Sequence, residues 1–223
     1  MRQLFVPLLL ALVACKSESP TKPEATPPLP APAAGQATGT AGGDVRSASS
    51  GLMPQQVAPH ALEKLGDGRV ALGPFSLQVP AGWQEKPSTS SMRAAQFELP
   101  ASAGSAELIV YYFGESGAGT VRDNIDRWLD QFKQEDGKSS RDAAKIEQIQ
   151  VAGQDTSLVS VSGRYVAAAM PGGEPQDKPD QSLLAAIVTS PHGPYYFRLI
   201  GDGAAVSAHT AEFRQLLASL KMR

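Results

Sequence analysis

Residues 106–113 read Ala-Glu-Leu-Ile-Val-Tyr-Tyr-Phe, and this stretch decides the fold class. From Leu108 onward it holds branched and aromatic side chains that favour strands. Period-two alternation puts Leu108, Val110 and Tyr112 on one face and Ile109, Tyr111 and Phe113 on the other. Neither face is polar. A strand apolar on both sides belongs inside a sheet, with cover on each side.

The flanking patterns extend this frame. Downstream, Thr120 and Asp123 form a Thr-x-x-Asp helix start. Val121, Ile125, Trp128, Leu129 and Phe132 then recur at helical spacing, with Asp136-Gly137 as the expected stop. Residues 145–151 and 156–166 flank a turn through Ala152-Gly153-Gln154-Asp155 and read as a hairpin. Residues 170–180 are a Pro/Gly-rich loop. Residues 183–189 and 195–200 form a second hairpin around Pro191-His192-Gly193-Pro194. A last helix follows Gly201-Asp202-Gly203 and carries Val206, Phe213, Leu216, Leu217 and Leu220. Upstream, 69–72 and 75–79 read as strands around Gly73-Pro74, and 92–99 as another, after a short helical turn over 61–65. Strands, helix, two hairpins and helix predict an α+β domain over 66–223, a mainly antiparallel sheet with helices packed on it.

Four strings carry a resemblance. They are FSLQVPAGW at 75–83, MRAAQFELP at 92–100, ELIVYYFG at 107–114 before NIDRWLDQF at 124–132, and GPYYFRLIG at 193–201. On these the chain resembles, over 69–221, the PsbP-like α/β/α sandwich found in bacterial lipoproteins of unassigned function. The resemblance implies a fold. It carries no catalytic motif and so no activity.

The N-terminal part differs in kind. Arg2 precedes an apolar run over 4–13 of signal-peptide length, too short to span a bilayer. Leu12-Val13-Ala14-Cys15 follows, and Cys15 is the only cysteine. This is similar to the lipobox of bacterial lipoproteins. The resemblance implies that residues 1–14 are a signal peptide and that Cys15 is lipidated. Acyl chains on Cys15 would then make the membrane a partner of the chain. Lys16 stands where aspartate retains enterobacterial lipoproteins at the inner membrane, which implies the outer membrane in a Gram-negative cell. Residues 15–65 are rich in Pro, Ala, Gly and Ser, and no aromatic residue lies between Phe5 and Phe75. Such a segment cannot bury enough apolar surface to offset its chain entropy and reads as a disordered tether. Its coil span is roughly 35–40 Å, extending to about 140 Å.

Composition excludes more than it assigns. The 223-residue chain carries a formal charge of −2 without Lys/Arg clusters, so nucleic-acid binding has no support. The domain over 66–223 contains no cysteine and holds together without disulfides. The loop Gly114-Glu115-Ser116-Gly117-Ala118-Gly119-Thr120 joins the strong strand to a helix N-terminus, where amides and the helix dipole favour anions. Gly117, Gly119 and Thr120 are therefore weak anion-binding candidates, although the lysine of a phosphate loop is missing and Glu115 opposes phosphate. His60, His192 and His209 lack partners at metal-ligand spacing, no G-x-S-x-G elbow occurs, and no cofactor motif is present. Asp123, Asp126 and Asp130 with Arg122 and Arg127 read as a salt-laced helix face. Tyr111-Tyr112 and Tyr195-Tyr196 each place one ring per sheet face.

The expectation is a membrane-anchored envelope lipoprotein with a non-enzymatic binding or assembly role, with another envelope protein as a candidate partner. The alternative is a small-ligand or anion-binding domain using the Gly114–Thr120 loop or a pocket between sheet and helix. An envelope hydrolase ranks below both. Cys15→Ala is expected to move the chain from the membrane to the soluble fraction and to abolish labelled fatty-acid incorporation. Retention of either property contradicts the lipobox reading.

Overall fold

The computed structural model describes residues 56–100, 102, 104–168 and 174–223. The expected signal peptide, Cys15 and most of the expected tether lie outside the described residues.

The elements, in chain order, are β1 (Gln56–His60), β2 (Val70–Leu72), β3 (Phe75–Leu77), β4 (Gln84–Glu85), β5 (Ser88–Ser90), β6 (Arg93–Leu99), β7 (Ala106–Tyr112) and α1 (Val121–Leu129). After these come β8 (Phe132–Lys133), α2 (Ser140–Ala143), β9 (Lys145–Val151), β10 (Gln154–Ala167), β11 (Gln176–Val188) and β12 (Tyr195–Asp202). The chain closes with α3 (Gly203–Ala208), α4 (Thr210–Ala218) and β13 (Lys221–Met222). The main sheet has the order β4-β6-β7-β12-β11-β10-β8, and β9 shares the outer edge of β10 with β8. Its pairings are antiparallel. Small sheets β13-β3-β2 and β1-β5 complete the topology. The fold is α+β, a mainly antiparallel sheet carrying helices.

Alternation along the strands builds two cores. On one face Leu108, Val110, Leu158, Leu184, Phe197 and Leu199 pack with β2 and β3 and with Val206, Phe213, Leu216 and Leu217 of α3 and α4. On the other, Val159, Val161, Leu183, Ala185, Ile187 and Tyr196 pack with Ile125, Trp128 and Leu129 of α1 and with Phe132. The double-faced strand at 106–113 is interior as expected, between β6 and β12. The tyrosine doublets divide between the faces. Tyr112 stacks on Tyr195 at 4.6 Å, and Tyr196 meets Trp128 edge-on at 6.3 Å.

Several elements depart from the sequence pattern for local reasons. Helix α1 stops at Leu129 with Asp130 as its C-cap, well before Asp136-Gly137. Phe132 is drawn into β8, opposite Tyr165, so strand pairing ends the helix. The last helix is broken at His209 into α3 and α4. Residues 61–65 form no helical turn; Lys64 bridges Val70, and Leu65 N donates to Arg69 O at 2.8 Å. Strand β1 pairs with β5 at positions the composition assigns to the tether. Strand β11 begins inside the expected 170–180 loop, where the register shift between Gly163 and Tyr165 accommodates Pro179 and Asp180. Gly163 has no alternative there, because a Cβ would stand 2.7 Å from the Lys133 carbonyl. The β9–β10 turn shrinks to Ala152-Gly153, both with positive φ as a type I′ turn requires.

Phe197 is fully buried, whereas Ile146 on edge strand β9 is 49% exposed. Urea unfolding is expected to show a loss of about 3–5 kcal/mol for Phe197→Ala. Ile146→Ala is expected to stay within about 0.5 kcal/mol of the parent. Equal losses would contradict the placement of the core.

Candidate functional site

The loop from Gly114 to Thr120 is held by its own groups. Gly117 N donates to Gly114 O at 3.1 Å, and Ala118 N donates to the Tyr196 hydroxyl at 3.2 Å. Thr120 N and Oγ1 donate to Asp123 Oδ2 at 3.1 and 2.7 Å, and Asp123 N donates back to Thr120 Oγ1. These bonds hold the Asp123 carboxyl below the usual carboxylate range. Gly117 serves close packing, since a Cβ would lie 2.8 Å from both Pro194 and the Tyr196 hydroxyl. Gly119 sits beside the same Asp123 carboxylate. The place an anion would take at this helix start is filled by the chain's own carboxylate, and Gly117, Gly119 and Thr120 have structural work to do.

Of the three histidines, His60 and His192 are exposed and His209 is buried. The His209 ring lies between Glu212 Oε2 on Nδ1 at 2.5 Å and the Pro100 carbonyl on Nε2 at 2.6 Å. Trp83 Nε1 also donates to Glu212 Oε2, at 2.9 Å. This clamp ties α4 to the segments before β4 and after β6. Among the described residues no serine or threonine hydroxyl bonds to the ring, as the base of a hydrolase triad requires. Among the described residues no His/Cys/Asp/Glu group could hold a metal ion. On the acidic face of α1 Arg122 pairs with Asp126 as expected, Arg127 donates to Asn124 Oδ1 instead of pairing with Asp123, and Arg141 reaches both Asp126 and Asp130.

Among the described residues the openings include two against the main sheet. The larger, about 1110 Å³, lies between β10–β11 and helices α3–α4, floored by Ser160, Ser162 and Ser182. Several of its groups satisfy one another. The Ser162 and Ser182 hydroxyls are 2.7 Å apart, and Arg164 forms two bonds with Asp177. Arg214 and Lys145 both pair with Glu147. Among the described residues this sheet–helix pocket holds no buried side-chain polar atom without a partner.

The smaller cavity, about 540 Å³, lies at the α1 face of the main sheet and does hold one. Arg198 stands on β12 opposite Ile109 of β7 and Ala185 of β11, both buried. Its Nη2 donates to Gln131 Oε1 at 3.0 Å and to the Tyr165 hydroxyl at 3.2 Å. The guanidinium carbon lies 5.8 Å from the centre of the Tyr165 ring. Its Nε is buried without a hydrogen-bond partner, and Arg198 pairs with no carboxylate among the described residues. An unmet buried donor on a charged group is costly and uncommon. The cavity lies within the size range of small-molecule sites. Sequence reasoning passed over Arg198. The available signal was a lone charge inside YYFRLIG, an otherwise apolar strand.

No family model matches the chain, and no curated protein matches it. Among solved structures it is similar to cyanobacterial PsbP (CyanoP) from Synechocystis sp. PCC 6803, with 14% identity over 67% of this chain and 87% of that one, at a TM-score of 0.41. It is also similar to PA94 of Pseudomonas aeruginosa, a protein of unknown function, with 18% identity over 73% and 96% of the two chains, at a TM-score of 0.39. Likenesses at this level carry no argument about activity, so the site must be read from its own chemistry.

The Glu212 carboxyl is held below its usual range, first by its bond with His209 and then by Trp83. A depressed folded value means that the stabilisation is full above the unfolded pKa of about 4.3 and is lost as pH falls through the lowered value. Glu212→Gln is therefore expected to lower the melting temperature at pH 6. The gap should close as pH falls below about 4. A gap independent of pH would contradict the clamp.

Proposed function

We propose that this chain is a membrane-tethered, non-enzymatic binding module that presents a small-ligand site in the envelope. The anchoring half rests on the lipobox resemblance at Cys15 and on the composition of the tether. Among the described residues no helix is long and apolar enough to cross a membrane. The binding half rests on a single observation. Arg198 offers a buried Nε–H without an acceptor, inside a cavity, on a strand otherwise committed to the core.

The choice of a ligand over a protein partner follows from the surface. Ile146 and Met222 are the large hydrophobic residues described as exposed, and they are single side chains on different sheets. Contiguous apolar patches mark protein interfaces, and two isolated residues do not make one. Binding is preferred over turnover because the ring nitrogens of His209, the buried histidine among the described residues, face a carboxylate and a backbone carbonyl.

A residue kept for a ligand contributes little to the free protein. Arg198→Met removes an unmet donor along with two hydrogen bonds, and stability should change by less than about 1 kcal/mol. The functional test is equilibrium dialysis of the full chain against a small-molecule extract of the source cells, with Arg198→Met in parallel. At least one compound should be retained by the wild type and lost by the variant. Identical retention by the two proteins overturns the assignment of the site.

A further inference from the structure

Besides Arg198, two charges outside any ion pair among the described residues line the cavity: the half-buried Glu107 and, at the exposed edge, Lys178, which acts on the nearby Asp202 carboxylate. Glu107 of β7 lies opposite Ile200 of β12, while Arg198 lies opposite Ile109. Glu107 and Arg198 are therefore diagonal neighbours on one face of two paired strands, about 7 Å apart. Both line the cavity, and they do not pair with each other. Each is held by neutral amides. Gln96 Nε2 donates to Glu107 Oε2 at 3.2 Å, and Arg93 Nη1 in turn donates to Gln96 Oε1 at 2.9 Å. On the other side Gln131 and Tyr165 hold Arg198. At the rim Lys86 and Glu98 cancel each other, 2.6 Å apart.

Resting on the reading of this cavity as the ligand site, we infer that its ligand is a zwitterion, an amino carboxylate such as a free amino acid. The carboxylate accepts from the Arg198 guanidinium, including the Nε–H that the fold leaves unmet. The ammonium donates to Glu107. A bridging ligand makes one charge-assisted hydrogen bond of about 2.8 Å at each end and spans the diagonal. A simple dianion is disfavoured, since Glu107 repels it on the side where Arg198 attracts. A simple cation is disfavoured by the converse. The remainder of the lining includes Ser105, Gln96, Gln176, Gln181 and Lys178, which suits a polar body more than an aliphatic one.

Three matched probes test this by isothermal titration calorimetry on the full chain. L-Glutamine carries both charges, glutaramate lacks the ammonium and 4-aminobutanamide lacks the carboxylate. L-Glutamine is expected to bind about tenfold or more tightly than either half-molecule, as the loss of one charged hydrogen bond implies. Arg198→Met and Glu107→Gln should each weaken it by a similar factor. Arg198→Lys keeps the charge without the fork, should give an intermediate loss, and replaces Arg198→Met if that variant does not fold. If glutaramate matches L-glutamine and Glu107→Gln has no effect, the zwitterion is wrong while the cavity remains the site. If none of the three probes binds while dialysis still finds a compound that the wild type retains and Arg198→Met loses, the zwitterion is wrong and the cavity remains the site; if dialysis also shows identical retention, the two readings fall together.

Discussion

Strand β11 runs between β10 and β12, and β7 closes against β12, so that four long strands form a strip buried on both faces. A sheet of that kind cannot stand alone. Each buried aliphatic or aromatic side chain contributes about 1.5–3 kcal/mol only when something covers it. The rest of the architecture answers this requirement. Helices α3 and α4 with β2 and β3 cover one face, and α1 with Phe132 covers the other. The clamp of His209, Glu212 and Trp83 then locks one cover to the chain segments beside it.

The same constraint makes Arg198 conspicuous. On a strip whose interior positions are apolar, a guanidinium between Ile109 and Ala185 gives up hydration and regains only part of it from Gln131 and Tyr165. The larger groove shows the contrast. Ser162 and Ser182 bond to each other there, Arg214 pairs with Glu147, and none of its buried side-chain polar atoms lacks a partner. The cavity therefore ranks above the groove on unmet chemistry, although it has about half the volume, 540 against 1110 Å³.

Much of the fold was legible in residue patterns that depend on local physics. The two apolar faces of 106–113 placed β7 inside the sheet, Thr120 with Asp123 marked the start of α1, and Ala152-Gly153 marked a hairpin. What escaped depends on distant partners. Phe132 continues the apolar stripe of α1 but is taken by Tyr165 of β10, and His209 breaks a helix because Pro100 and Glu212 hold its ring. The site was the least legible part. The Gly114–Thr120 loop has the look of an anion loop, yet Asp123 occupies it, through the same Thr120–Asp123 capping contact that marked the helix start. Arg198 and Glu107 are 91 positions apart in the chain and meet only through the β7–β12 register.

The most direct measurement is the ¹⁵N–¹H resonance of the Arg198 Nε group in the free protein and during titration with L-glutamine. The account predicts a signal characteristic of an N–H without an acceptor in the free protein, which moves downfield and exchanges more slowly as ligand is added. A resonance already downfield and slow in the free protein, unmoved by L-glutamine, would mean that the guanidinium is satisfied within the fold, and would contradict the account.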